Sequence, residues 1–429
     1  MLFQKIAVWN EIGEVLENRF VRVSDGKIAA ISQEPIAPQP GEECYDGTGK
    51  LLAPAFFNAH SHAPMTLLRG WGENLALQEW LSTRIFPFEA RMTSDDYYVG
   101  TQLAIAEMVR GGTVSSTEMY FGGESMARAA MEAGVKMNIS LGVSCFDERS
   151  LHDLPLFQEQ VRLAEQWHNA ADGRLRVDLS MHGEYTSNLR VVKEMAQYAR
   201  QSGLRMHTHV SETKRETDEC IQRHGKTPTR YFYDAGLFDV PTTAAHCVWV
   251  TDEDMDLLKE KNVTVASCPA SNLKLASGFC NVPRLLEKGV SVALGTDGAA
   301  SNNSLNMMAD MKLFAIAAKG AFGNPCNVSP QQAFYAATRA GALAQGRQES
   351  GVLREGAAAD LMVLRCDAPW WTPCHNAAAD LVYAAQASDV CLTMCDGKVL
   401  YQDGEYKTLD IERICHDARC AAQRIAKEL

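Results

Sequence analysis

The sequence lacks the features that mark a nucleic-acid-binding, membrane or secreted protein. It has no run of Lys and Arg residues, and its formal net charge is −12. We therefore expect no binding to nucleic acid or to an anionic membrane surface. No apolar run approaches the roughly 20 residues that span a bilayer. The first residues, Met1–Lys5, lack the apolar core of a signal peptide.

The cysteines form no recognisable disulfide or metal framework. There are 13 of them, an odd number, and no two are spaced as CxxC. The closest pairs are Cys391 with Cys395 and Cys415 with Cys420; we expect these four thiols to be structural and free, and a cysteine zinc site is the less favoured alternative. Scattered cysteines in a chain of this length predict reduced thiols and a cytoplasmic protein.

The composition is that of a globular protein, with 46% hydrophobic and 22% charged residues. Residues 1–52 contain short strand patterns, including Lys5–Val8 and Phe20–Val23. A Ser-Asp-Gly-Lys turn at 24–27 leads into another, Ile28–Ile31, and Asp-Gly supplies the positive φ that such hairpins need.

From Leu51 onward, apolar strands alternate with helical patterns. We predict eight strands: Leu51–Asn58, Thr113–Glu118, Met137–Ser144, Arg176–Met181, Arg205–His209, Thr242–His246, Val263–Ser267 and Ser291–Gly295. The predicted helices include Ser94–Arg110, Leu189–Ser202, Asp252–Lys261 and Val282–Lys288. This alternation predicts an α/β protein with a (β/α)₈ TIM-type barrel over residues 53–345. A doubly wound open sheet is the alternative.

A strand-rich texture returns in residues 346–429. Asp360–Leu364 reads as a strand, and an Asp-Gly-Lys turn at 396–398 echoes the one near the start of the chain. We predict that residues 1–52 and 346–429 together form a small β-sandwich domain, closed by a helix at Ile411–Leu429.

Histidines and an aspartate follow several of the predicted barrel strands. Residues two apart in a strand point to the same face, so His60 and His62 project together. His209, His246 and Asp297 also follow apolar runs, and a barrel brings such strand ends to one face. Imidazole nitrogen and carboxylate oxygen are zinc ligands, so these five residues are a plausible coordination set. An HxH pair alone can equally be coincidence.

Several motifs in order along the chain carry a family resemblance. They are NAHSHAPMTLLRG (58–70), HTHVSET (207–213), AAHCVWV (244–250), CPASNLKLASG (268–278), LGTDGAASNNSLNM (294–307) and GAAADLMVL (356–364). With them the sequence resembles the amidohydrolase superfamily. Within it, the chain is similar to the 5-methylthioadenosine/S-adenosylhomocysteine deaminases and the related chlorohydrolases. The resemblance covers nearly the whole chain.

The resemblance implies a mononuclear metal site. Its expected ligands are His60, His62, His209 and Asp297, holding one divalent ion per chain, with Zn²⁺ the expected metal. Many superfamily members hold two metals through a carboxylated lysine at the end of strand four, where this chain has Leu179–His182 and no lysine. His207, deeper in the barrel, is expected to pack behind the site without ligating the metal.

The resemblance also implies hydrolytic deamination of an adenosine-type nucleoside. A metal ion activates a water molecule, Asp297 takes its proton, Glu212 shuttles protons to the ring and to the leaving amine, and His246 polarises the water or the tetrahedral intermediate. Simpler interpretations are a surface carboxylate for Glu212 and a helix N-cap for Asp297. The resemblance further implies substrate contacts from three side chains, Trp80 at the pocket wall, Glu89 at the ribose and His182 at the purine edge.

The segment after the third barrel strand bears on the choice of nucleoside. The resembling family supplies an arginine there for the carboxylate of S-adenosylhomocysteine. Here Asp147, Glu148 and Asp153 crowd the segment, and Arg149 is the only guanidinium. We therefore expect an uncharged 5′ group, as in 5′-methylthioadenosine, 5′-deoxyadenosine or adenosine, to be preferred.

Other activities remain open at this level. The same fold could act on guanine, a pterin or a chlorinated triazine, or the chain could be a metal-binding paralogue without catalysis. The expected partners are a small-molecule substrate and further copies of this chain in a homo-oligomer.

Overall fold

The computed structural model describes all 429 residues and arranges the strands in three sheets. In chain order the strands are β1 (Leu2–Trp9), β2 (Val15–Ser24), β3 (Lys27–Ser32), β4 (Cys44–Asp46), β5 (Lys50–Pro54), β6 (Phe56–Ser61), β7 (Thr113–Met119), β8 (Lys136–Ser140), β9 (Leu175–Val177), β10 (Leu179–Met181), β11 (Met206–Val210), β12 (Thr242–His246), β13 (Thr264–Ser267), β14 (Ser291–Leu294), β15 (Leu361–Arg365), β16 (Val390–Cys395), β17 (Lys398–Gln402) and β18 (Glu405–Tyr406).

The helices lie mostly between the strands. The α-helices are α1 (Leu77–Trp80), α2 (Phe86–Glu89), α3 (Ser94–Arg110), α4 (Gly123–Ala133), α5 (Pro155–Trp167), α6 (Leu189–Ser202), α7 (Lys214–His224), α8 (Pro228–Asp234), α9 (Asp252–Glu260), α10 (Pro269–Lys274), α11 (Val282–Glu287), α12 (Met307–Ala321), α13 (Pro330–Tyr335), α14 (Gly341–Ala344), α15 (Ala377–Tyr383) and α16 (Ile411–Lys427). Short 3₁₀ turns lie at Ala63–Leu68, Leu151–Asp153, Glu184–Thr186, Leu237–Asp239, Pro369–Trp371 and Ala387–Asp389, and π-helical turns at Leu81–Ile85 and Ala336–Ala340. No helix is both long and apolar enough to cross a bilayer.

Capping residues in the sequence fix several helix ends. Thr93 accepts a hydrogen bond from the backbone of Asp96, whose carboxylate accepts one from the backbone of Thr93, so α3 begins with a capping box. Helix α6 begins at the Asn188 cap and ends at Gly203, which has φ 70°. The predicted helices Ser94–Arg110 and Leu189–Ser202 are confirmed with these bounds.

One nine-stranded sheet combines strands from both ends of the chain. Its order is β18-β17-β16-β15-β5-β1-β2-β3, with β4 paired to β1. β5 forms the junction, because it pairs parallel with β1 and antiparallel with β15. Phe3, Val21, Leu361 and Leu392 belong to one buried cluster against this sheet. The hydrogen bonds define a single sheet, so they do not establish the two facing sheets of the expected sandwich.

The central part of the chain forms two parallel sheets. Their orders are β6-β7-β8-β9 and β10-β11-β12-β13-β14, and all of their strand pairs are parallel. The strands thus follow chain order, without the reversal of order that a doubly wound sheet contains. The predicted α/β class with parallel strands is confirmed; no strand ladder pairs β6 with β14 to close a barrel.

Two predicted barrel strands are each two strands in the structure. The apolar run at 51–58 divides at Ala55 into β5, in the terminal sheet, and β6, in a parallel sheet. Pro54 has no N–H to donate, which suits a change of sheet at this point. The predicted fourth strand divides at Asp178 into β9 and β10, which pair with β8 and β11 respectively.

A buried ion pair joins the parallel strands to the terminal sheet. Lys136, at the start of β8, donates from Nζ to Asp360 Oδ1 at 2.6 Å and to Asp396 Oδ1 at 2.6 Å. The side chain of Lys136 is 6% exposed and that of Asp360 is fully buried. Burial opposes ionisation of Asp360, but the nearby Lys136 outweighs it and lowers the Asp360 pKa.

Substitution of Lys136 tests this connection. Lys136→Met leaves the buried Asp360 carboxylate without its cation, so we expect the free energy of unfolding to fall by about 3–5 kcal/mol. Adding Asp360→Asn should recover part of the loss. Urea denaturation of both variants measures this, with the exposed Lys398→Met as a control that should change stability by less than about 0.5 kcal/mol. Wild-type stability in Lys136→Met would contradict the argument.

Candidate active site

The end of β6 is held against the segment that follows β14. Asn58 accepts a hydrogen bond at Oδ1 from the Thr296 backbone at 3.0 Å and donates from Nδ2 to Thr296 Oγ1 at 2.7 Å. Asp297 donates its backbone N–H to His60 O at 3.0 Å. A Cβ at Gly295 would lie 3.0 Å from the His60 backbone N, so a larger residue would push against the end of β6. These contacts bring Asp297 beside the two histidines of the HxH motif.

The three histidines predicted as ligands each use Nδ1 for another contact. His62 Nδ1 lies 2.5 Å from Met119 O, and His209 Nδ1 lies 2.6 Å from His182 O. His60 Nδ1 lies 2.9 Å from His207 Nε2. A histidine that donates from one ring nitrogen presents the other to a metal, as in many protein metal sites. His207 therefore lies behind His60, in agreement with its predicted position.

The free ring nitrogens converge on a space that fits a metal ion. Ligand atoms of His60, His62 and His209 lie within 4.8 Å of one another. His60 Nε2 is buried and has no hydrogen-bond partner. Asp297 Oδ1 lies 3.2 Å from His62 Nε2 and 3.6 Å from His60 Nε2. Three imidazoles and one carboxylate are a suitable donor set for zinc.

Asp297 is held ionised and oriented by its neighbours. Burial opposes ionisation, but the close imidazoles of His60 and His62 outweigh it and hold the pKa of Asp297 well below its usual value. Oδ2 accepts hydrogen bonds from Ser271 Oγ at 2.5 Å and Ser301 Oγ at 3.0 Å. Asp297, three residues beyond the end of β14, has φ 60°, a left-handed conformation that is uncommon outside glycine.

Glu212 and His246 form a second polar pair in the same cavity. Glu212 Oε2 lies 3.8 Å from His246 Nε2, and both side chains are buried. His246 Nδ1 lies 2.9 Å from Asn272 Oδ1, which fixes the ring. Burial raises the pKa of Glu212, so its protonated form persists to higher pH than in water. The raised pKa suits this carboxyl to donate a proton as well as to accept one.

Both polar groups open into a cavity of about 400 Å³. Trp80, Glu89 and His182 line it; their contacts with a substrate stay a prediction. Glu89 accepts a hydrogen bond from the Tyr120 hydroxyl at 2.6 Å, and burial raises its pKa to about 7. Burial lowers the pKa of His182 to about 4, so this imidazole is neutral at physiological pH.

Two predicted site residues do not line the cavity: His60, which is fully buried next to it, and Arg149, which lies on the surface. The Arg149 Nε lies 2.9 Å from Asp147 Oδ2, and the Arg149 side chain is 54% exposed. Asp147 also accepts the Arg149 backbone N–H at Oδ1, at 3.1 Å. Asp147 is thus the partner of the Arg149 guanidinium. Phe146, the residue before Asp147, lines the cavity.

Sequence reasoning missed several residues that shape the site. Ser271 and Asn272 lie in the motif at 268–278, but nothing in their type indicated contacts with Asp297 and His246. Met119 is the last residue of β7 and Tyr120 follows it; neither carries a chemical signal in the sequence. Met119 acts through its backbone carbonyl, which residue type cannot reveal.

Comparisons with known proteins agree with this arrangement. The model of the amidohydrolase family matches residues 51–400. The 5-methylthioadenosine/S-adenosylhomocysteine deaminase of Dictyoglomus thermophilum is 42% identical over 385 residues, 89% of each chain. The 5′-deoxyadenosine deaminase of Methanothermobacter thermautotrophicus is 40% identical over 405 residues, 94% of each chain.

A solved structure shares the whole fold. An adenosine deaminase from Xanthomonas campestris, crystallised with bound zinc, superposes with a TM-score of 0.93 at 31% identity. The match covers 99% of this chain and 98% of the other. The terminal sheet and both parallel sheets are therefore common to the two proteins.

The ligand set can be tested by metal analysis of three variants. His209→Ala removes a predicted ligand, so zinc affinity should fall by more than about 100-fold, whereas His207→Ala removes only an outer partner and should cost about 10- to 100-fold. His246→Ala should keep one equivalent of metal. Chelator competition on purified protein measures all three. Loss of zinc from His246→Ala would instead favour the other possible cluster, His60, His246 and Asp297.

Proposed function

The chain belongs to the amidohydrolase family, and we propose that it is a zinc-dependent deaminase of an adenosine-type nucleoside. The observation that carries this proposal is the meeting, in one cavity, of free imidazole nitrogens, Asp297 and the Glu212–His246 pair. Relatives that match most of the chain are named as deaminases of 5-methylthioadenosine, S-adenosylhomocysteine and 5′-deoxyadenosine.

We assign His60, His62, His209 and Asp297 as ligands of one divalent ion. When bound, such an ion acts as a Lewis acid and lowers the pKa of a water molecule to near 7. Asp297 is ionised and accepts the proton of the attacking water. Its second oxygen is occupied by Ser271 and Ser301, so the carboxylate keeps its orientation as the proton arrives.

In this proposal Glu212 moves protons to and from the purine, and its neighbour His246 assists the reaction at C6. Glu212 protonates the ring nitrogen N1 as water adds to C6 of the purine, and the proton taken from the water goes on to the departing amine. The 6-amino group then leaves as ammonia, the C6 hydroxyl formed from the water gives its remaining proton back to Glu212 as the carbonyl forms, and the product is the inosine analogue. His246 Nε2, held through Asn272, polarises the attacking water or stabilises the tetrahedral intermediate.

Three further side chains orient the nucleoside in this proposal. Glu89 accepts hydrogen bonds from the ribose hydroxyls, Trp80 forms a wall of the pocket, and neutral His182 contacts the purine edge. All three line the cavity. The Tyr120 hydroxyl bonded to Glu89 holds that carboxyl in place.

The proposal extends to the architecture and setting. We propose that the parallel sheets close as one (β/α)₈ barrel over residues 53–345, supported by the contacts between Asn58 and Thr296. The terminal sheet, from residues 1–52 and 346–429, is proposed to fold over as a sandwich. Tyr45 Oη lies 3.4 Å from Cys391 Sγ, across that sheet.

All 13 cysteines are unpaired, which supports the proposal that the protein works in a reducing cytoplasm. That the chain forms a homo-oligomer stays a prediction.

A substrate panel tests the function directly. Purified protein with one equivalent of zinc should release ammonia from adenosine, 5′-deoxyadenosine and 5′-methylthioadenosine. Guanine, a pterin and a chlorinated triazine should be turned over far more slowly. Activity on none of these compounds would favour a metal-binding protein without catalysis, and full activity after complete metal removal would exclude the proposed mechanism.

Glu212→Gln tests the proton shuttle. The amide keeps the size of the side chain but cannot carry the proton, so kcat should fall by about 10²-fold or more. Zinc content should stay at one equivalent. Near-wild-type turnover would show that another group moves the proton.

The segment that contains Arg149 predicts which 5′ substituent of the nucleoside the enzyme prefers. A substrate carboxylate without a charged partner there loses roughly 1.5–3 kcal/mol, about 10- to 150-fold in affinity. Apolar side chains form part of the cavity lining, among them Phe121, Phe146 and Leu156. We expect kcat/KM for 5′-methylthioadenosine to exceed that for S-adenosylhomocysteine. A preference for S-adenosylhomocysteine that Arg149→Ala abolishes would reverse this assignment.

A further inference from the structure

A buried carboxylate outside the proposed chemistry holds the turn that carries Glu212. Glu216, in the first turn of α7, is 5% exposed. Its Oε1 accepts the backbone N–H of Ser211 at 3.0 Å, and its Oε2 accepts that of Glu212 at 2.7 Å. Each oxygen of the carboxylate is thus bonded to one of two successive amides.

The turn needs such an anchor because its backbone is unusual. Ser211 has φ 50°, a left-handed conformation that residues other than glycine seldom adopt. The Ser211 carbonyl accepts the backbone N–H of Trp249 at 2.9 Å, while the buried Ser211 hydroxyl has no partner. The side chain therefore does not hold the turn, and the amides bonded to Glu216 do.

Glu216 is itself fixed by the start of its helix. Thr213 is the N-cap of α7, and its hydroxyl accepts the Glu216 backbone N–H at 3.1 Å. The anchor therefore rests on a capped helix, and rotation of the Ser211–Glu212 turn would break two buried hydrogen bonds at once. Broken bonds of this kind leave buried amides unsatisfied, which proteins avoid.

We propose that Glu216 is the positioning residue for the proton shuttle: its carboxylate holds the Ser211–Glu212 backbone so that the Glu212 carboxyl faces the reacting purine. This inference rests on the proposed function of Glu212. A displacement of about 1 Å at a catalytic group can cost on the order of 10²-fold in rate. Glu216 touches neither substrate nor metal in this assignment and acts only through Glu212.

Glu216→Gln is the informative variant, because an amide has the same size but only one acceptor oxygen. Its NH₂ group faces a backbone N–H, so one of the two anchoring bonds is lost. In the zinc-loaded enzyme we expect kcat to fall by about 10- to 100-fold, with KM and zinc content close to wild type. Glu219→Gln, on the exposed side of the same helix, makes the same charge change and should leave kcat unchanged.

A double-mutant cycle separates positioning from a general structural effect. In the Glu212→Gln background, Glu216→Gln should lower the residual kcat by less than about 2-fold, because the group being positioned is already gone. An equal loss in both backgrounds would overturn the proposal. So would wild-type kcat in Glu216→Gln when Glu212→Gln is impaired.

Amide hydrogen exchange gives a readout that does not depend on activity. The amides of Ser211 and Glu212 should exchange about 10-fold faster or more in Glu216→Gln, while Glu219→Gln should match wild type. Unchanged exchange would refute the anchor itself. If Glu212→Gln is fully active, the proposed shuttle fails, yet exchange still decides whether Glu216 holds the turn.

Discussion

The candidate site depends on the contact between the end of β6 and the segment after β14. Two hydrogen bonds join Asn58 to Thr296, and a third runs from the Asp297 backbone to His60. All four residues are buried. Leaving such a group unpaired costs about 1–3 kcal/mol, so slippage of the two segments is strongly opposed. A one-residue slip would turn His60 away from Asp297, because side chains alternate along a strand. The register at this contact therefore sets the geometry of the metal ligands.

The same burial gives opposite results for two carboxyl groups of the cavity. Glu212 has the His246 imidazole 3.8 Å away, and burial still raises its pKa. Asp297 is as deeply buried, yet its contacts with His60 and His62 hold its pKa low. One carboxyl is thus suited to carry a proton and the other to bind a cation. Neighbouring groups, more than depth, divide the two roles.

Strand periodicity and residue type predicted that His60, His62, His209, His246 and Asp297 lie together, and the family resemblance reduced them to four expected metal ligands. His60, His62, His209 and Asp297 lie at strand ends, and the positions of such ends follow from apolar runs. The division of the run at Ala55 could not be predicted, because apolar residues suit either sheet equally. The sequence also could not predict where the Arg149 side chain lies, because either a substrate carboxylate or Asp147 could pair with it. Contacts made by backbone groups, such as Met119 O, leave no mark in residue type.

The contrast between strand-end residues and loop residues explains why the sequence predicts the type of reaction better than it predicts the substrate. The proposed metal-binding and proton-transfer groups lie at or just beyond strand ends, and buried hydrogen bonds fix the register between the end of β6 and the segment after β14. The 5′ end of a nucleoside would instead meet residues such as Phe146, on a loop where the side chain is 81% exposed. Loop side chains are held by few contacts and tolerate replacement. One chemical centre can therefore be kept while the surrounding loops select among nucleosides that differ only at the 5′ position.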